Sequence, residues 1–147
     1  MRKRLLLLAL IAAVTASGEP ARKIPGITIK DVYPHGCVDC HTGKSGMPAT
    51  VANLLAAPAA ASKAKPFVPK TFTLKGKHPS VATITDIPAG CMKCHTATSK
   101  IAPPLKPIIH GVHLTGGDAN AFLTTFGGEC THCHKFNAAT GEWSIAK

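Results

Sequence analysis

Cys37-Val38-Asp39-Cys40-His41, Cys91-Met92-Lys93-Cys94-His95 and Cys130-Thr131-His132-Cys133-His134 repeat one pattern, Cys-x-x-Cys-His. Cysteines at i and i+3 share one face of a helical turn, and a histidine at i+4 rises from that face. Two thiols so placed can add to the two vinyl groups along one porphyrin edge, with the histidine as axial ligand to the iron. This spacing is the attachment signature of c-type haem. The three copies use all 6 cysteines. Structural zinc also employs Cys-x-x-Cys pairs with histidine, but it does not explain why His follows the second Cys at once in every copy. A disulfide framework suits an even cysteine count in an exported protein. A Cys-x-x-Cys bridge, however, closes too short a loop to brace a fold and leaves the histidines unexplained. The expected cofactors are therefore three covalently attached haem c groups with their iron. Cys37, Cys40, Cys91, Cys94, Cys130 and Cys133 are the attachment points, and His41, His95 and His134 the proximal ligands.

Four further histidines, His35, His78, His110 and His113, compete for three distal positions. His78 precedes the second motif by enough chain to pass round a porphyrin edge, and is expected to ligate from the far side. His110 and His113, three residues apart, are expected to reach irons on different haems and so to hold those haems close. His35 lies two residues from Cys37, a span of about 7 Å, too short to reach the far face of its own haem. Three readings of it stand: ligand to another haem of this chain, ligand to a haem of a neighbouring subunit, or a surface residue bonded to a propionate. His132, between the cysteines of the third motif, reads as a surface residue. Among the 3 methionines, Met47 is the one placed to compete as a ligand. Bis-histidine iron is six-coordinate, closed to substrate, and lower in potential than His/Met iron.

Residues 1–16 read as a signal peptide. Arg2, Lys3 and Arg4 form its charged start, Leu5 to Val14 an apolar run too short to span a bilayer, and Val14-Thr15-Ala16 a small-residue cleavage site. No second apolar run follows, so no membrane span is expected after removal of the leader. The expected location is periplasmic or extracellular. Removing the leader leaves 131 of 147 residues, and 14 of 17 basic residues against 7 acidic ones, a formal +7. A basic balance can point to nucleic acid or membrane surface. Here the lysines are read as partners for haem propionates and as a docking surface, and nucleic-acid binding is not expected.

Residues 17–147 are the size of one domain, and aromatics make up only 5% of the chain. Porphyrins would have to supply much of the apolar interior. The expected fold is a small, haem-packed cytochrome with a few short α-helices, mostly irregular chain and little or no sheet. Its first haem segment spans 17–48, where Ile24, Ile27 and Ile29 form a short strand or cover a haem face. An Ala/Pro/Lys-rich stretch, 49–77, opens on a helix over residues 51–57 stopped by Pro58. It continues as a linker stiffened by Pro66 and Pro69, and closes on a short strand over residues 71–74. In the segment holding the second and third haems, 78–147, Pro103, Pro104 and Pro107 predict extended chain over residues 101–109. Asp118 predicts a cap for a short helix ended by Gly127-Gly128. Phe122, Leu123 and Phe126 form a stripe expected to cover a haem, and Phe136 and Trp143 are expected to finish the cover of the third.

The three motifs, His78 ahead of the second and the His110/His113 pair ahead of the third resemble the small multihaem class III cytochromes c. That resemblance implies a chain folded around its haems with little regular structure. The motifs here are more widely spaced than in that family, and His35 crowds the first. The expected role is single-electron transfer between exported redox proteins, through closely spaced bis-His haems and without enzyme activity. Two alternatives stand beside it. One is a subunit of an extracellular cytochrome filament or larger electron-transfer complex, with His35 acting across the subunit boundary. The other is a haem enzyme with one open iron, for which Asp39 and Glu129 are the nearest acid groups.

Overall fold

The computed structural model describes residues 32–47, 49–73, 78–137 and 139–146. The stretch read as a signal peptide, 1–16, and the isoleucine-rich arm at 24–29 lie outside them. Along the described chain run α1 (Cys37–Cys40), α2 (Val51–Ala56), α3 (Pro58–Ala64), α4 (Ala89–Met92), α5 (Leu105–Leu114) and α6 (Ala121–Thr124). Then β1 (His134–Asn137) and β2 (Glu142–Ile145) pair as an antiparallel hairpin, with Phe136 opposite Trp143. Short 3-10 turns stand at Lys65–Phe67, Gly117–Ala119 and Cys130–His132. The chain is thus small and largely irregular, with short helices and one two-stranded sheet among the described residues. No helix among these residues is long and apolar enough to cross a membrane.

One proline reading is corrected and another is extended. The stretch expected to run extended to Ile109 instead turns helical at Leu105, where Pro104 is the N-cap of α5. Pro107 falls in the first turn, where backbone N–H groups have no intrahelical partner to lose. Likewise Pro58 ends α2 and also starts α3, because proline's fixed φ suits the first helical position. The alanines that follow favour helix, so the stretch read as a linker is largely α3 and the turn after it. Both pack on α5. Gly111 on α5 makes the approach close, since a Cβ there would overlap the Phe67 ring. Over 71–73 there is no strand, and Leu74 lies outside the described residues.

The short helix expected to be capped by Asp118 is α6, and its cap is Asn120, which also fastens the far end of α5. The Asn120 side-chain amide donates to the carbonyls of Val112, His113 and Thr115 at 2.9, 2.9 and 2.6 Å. Its side-chain oxygen accepts from the Phe122 N–H at 3.0 Å, capping α6. One side chain therefore satisfies orphan groups of two helix ends. Helix α6 stops at Thr124, ahead of the glycines expected to end it.

Apart from prolines and glycines, Ala146 is the buried apolar residue among those described, and Thr131 and His132 are buried beside it. These residues mark a junction between the first and third motifs. The Ala146 N–H donates to the Cys133 carbonyl at 2.8 Å. The Lys135 ammonium donates to the carbonyls of Tyr33 and Thr131, both at 2.7 Å. Gly36, at φ +63°, sits against Ala146 where a Cβ would come within 2.7 Å of the alanine methyl. Phe136 and Trp143 pack on each other, rings 5.0 Å apart, and are about half exposed.

Candidate functional site

Each motif histidine stands opposite one histidine from outside the motifs. The ring centroids of His41 and His113 are 6.0 Å apart, those of His78 and His95 5.9 Å, and those of His110 and His134 5.9 Å. A metal ion lies about 2 Å from a ligating imidazole nitrogen. Two imidazoles sharing one ion through facing nitrogens therefore have centroids about 6 Å apart, the spacing seen three times. Helix α5 carries His110 and His113 toward different motifs, the third and the first. His78 meets the second.

Backbone carbonyls orient most of these rings. The Nδ1 atoms of His41, His78, His95 and His113 face the carbonyls of Ala49, Pro79, Pro103 and Ile109 at 3.1, 2.7, 2.6 and 2.9 Å. A carbonyl only accepts, so each Nδ1 bears the proton and each Nε2 keeps its lone pair. Metal-ligating histidines are commonly held this way. Burial lowers the pKa of His41, with the nearby His113 ring adding to the effect. Burial likewise lowers that of His134, with His110 adding. Both shifts favour the neutral imidazole, the form that binds metal. The carbonyl partners have no side-chain signature and escape sequence reasoning; the Pro103-Pro104 pair is the one signal that such a carbonyl would be held in place.

Two other histidines stand apart from these pairs. His35 is exposed, its Nδ1 3.1 Å from an Asp39 carboxylate oxygen, while its N–H donates to the other oxygen at 2.6 Å. The three histidine pairs form without His35. His132, expected at the surface, is 5% exposed. It is drawn inward because its Nε2 donates to the Phe126 carbonyl at 2.7 Å and the Tyr33 ring packs edge-on at 4.4 Å. Of the aromatic stripe, Phe122 packs edge-on against His113 at 5.2 Å, and Phe126 against Tyr33 at 6.2 Å.

The cysteines are free thiols. The third motif departs from the single helical turn expected, for Cys130–His132 is a 3-10 turn and His134 opens β1. The His41 N–H donates to the Cys37 carbonyl at 2.8 Å, and the His95 N–H to the Cys91 carbonyl at 3.0 Å, which ties thiols and histidine to one turn. Burial, with Cys133 nearby, pushes the Cys37 thiol up to about 11. Burial raises Cys133 too, followed by the effect of Cys40, so the first and third motifs lie within electrostatic reach. Burial also raises Cys40 and Cys91.

Haem c suits these residues on several counts. Among those described, no three of His, Cys, Asp or Glu gather as a metal site. Each histidine pair could hold an iron from two sides, and a porphyrin would supply the remaining ligands. Within and next to the third motif, Glu129 Oε2, Thr131 Oγ1 and His132 Nδ1 are buried without a hydrogen-bond partner. An open cleft of about 380 Å³ is lined by Thr71, Phe72, Thr73, Ser99 and Lys100. No family model, curated protein or solved structure matches the chain.

Proposed function

We propose that this chain is a trihaem c-type cytochrome that passes single electrons between exported redox partners. Cys37 and Cys40, Cys91 and Cys94, and Cys130 and Cys133 would hold the three porphyrins. His41 with His113, His95 with His78, and His134 with His110 would be the axial pairs. The observation that carries the reading is the repeated 6 Å spacing of those pairs. When bound, each haem supplies a reversible one-electron change at iron. The chain's own part is to fix spacing, ring orientation and solvent access, because the redox chemistry belongs to the cofactor. With each motif histidine paired, the geometry favours a carrier over an enzyme with an open iron.

The test is the ferric holoprotein's spin state by electron paramagnetic resonance, followed by carbon monoxide added to the reduced form. Low-spin iron at all three sites, with no carbon monoxide shift, is expected. A high-spin signal from native protein would overturn the ligand assignment.

A further inference from the structure

The three histidine pairs share a spacing but not an orientation. The rings of His78 and His95 are 3° from parallel, those of His41 and His113 stand at 85°, and those of His110 and His134 at 43°. Ring orientation matters to low-spin iron. Parallel imidazoles act on one of the two iron d orbitals that point above and below the porphyrin and split the pair. A ferric ion, with one hole among its lower d orbitals, gains from that splitting; a ferrous ion, with these orbitals full, does not. Perpendicular imidazoles treat the two orbitals alike and forfeit the gain. Parallel rings thus favour the ferric state and a lower potential.

Two further observations run the same way. The Nδ1 contacts of the parallel pair, 2.7 and 2.6 Å, are shorter than those of the perpendicular pair, 3.1 and 2.9 Å. Stronger donation from Nδ1 makes the ring a more basic ligand and so stabilises ferric iron. His78 is also exposed, whereas its partner His95, like His41 and His113, is half-buried; solvent access on the His78 side favours the more highly charged ferric site.

We infer that the His78/His95 site has the lowest potential of the three and the His41/His113 site the highest, with the carbonyls of Pro79 and Pro103 as positioning groups. The inference rests on the bis-histidine reading above. Electrons would then settle on the two sites joined by α5, and the exposed second site would be where a low-potential donor delivers them.

The test is a potentiometric titration of the holoprotein at an electrode, followed by electron paramagnetic resonance. The oxidised protein should show one rhombic signal with three resolved g values from the parallel pair. It should also show one broad signal with a single large g value from the perpendicular pair. On stepwise reduction, one electron per iron, the large-g signal should vanish first and the rhombic signal last. A His78→Met variant should replace the rhombic signal alone and raise that site's potential. The inference is overturned if the rhombic signal vanishes first, if three like signals vanish together, or if His78→Met removes the large-g signal instead. The wild-type order decides the matter should the variant not mature. A high-spin native signal would instead strike at the ligand assignment itself.

Discussion

Gly111 lies between the two histidines of α5, and a single methyl added there tests how closely this helix is seated. An interior Gly→Ala exchange in a helix ordinarily stabilises by about 1 kcal/mol. Here the new Cβ would overlap Cγ and both Cδ atoms of the Phe67 ring. Forcing atoms into an occupied space costs about 1–3 kcal/mol. The balance for Gly111→Ala is a net loss of about 1 kcal/mol. In a Phe67→Ala background the obstacle is gone, and the same exchange should gain about 1 kcal/mol. The sign should therefore invert, a coupling of about 2 kcal/mol between residues in contact. Guanidinium unfolding of the holoproteins, followed by circular dichroism, measures all four corners of the cycle. A stabilising Gly111→Ala of equal size in both backgrounds would refute the close seating of α5 on the Lys65–Phe67 turn.

Other consequences are open to measurement. His113→Ala should convert one of three irons to a high-spin, carbon monoxide-binding form, whereas His35→Gln should leave every spin state unchanged; optical and resonance spectra separate the two. Asn120→Ala should lower stability by about 1–2 kcal/mol, seen as a fall in Tm, because an N-cap is lost and the α5 carbonyls lose their donor. Thiol titration of the denatured holoprotein should find none of the 6 cysteines free, while chain made without haem attachment should titrate all of them.

How far the sequence foretold this arrangement depended on the range over which each residue acts. The Cys-x-x-Cys-His turns were legible because their geometry is local. Four histidines outside the motifs, His35, His78, His110 and His113, could be picked out from their positions, and the structure sets three of them, His78, His110 and His113, opposite motif histidines. Which motif each α5 histidine would face was not legible, for that depends on how α5 sits on the molecule. Pro107 misled because proline breaks a helix from within but suits its first turn; Pro58 stopped α2 as read, and for the same reason also opened α3. The Ala-rich stretch looked like a linker by composition, yet it packs on α5 through a glycine whose role shows only in contact. His132 looked exposed by its place in the motif; the carbonyl of Phe126 and the ring of Tyr33, the latter far away in sequence, draw it inside.

The placing of His110 and His113 on one helix makes α5 a ruler. Three residues advance a helix by about 4.5 Å and turn it by about 300°, so the two rings leave neighbouring faces less than one turn apart. Point substitutions can alter what surrounds this interval, but they cannot lengthen it. One inserted residue between the histidines would swing the second ring by about 100° and break one pair outright. The separation between the first and third sites is thus guarded against gradual drift and exposed to insertion or deletion, while the second site, which draws on neither histidine, is free to change its position independently.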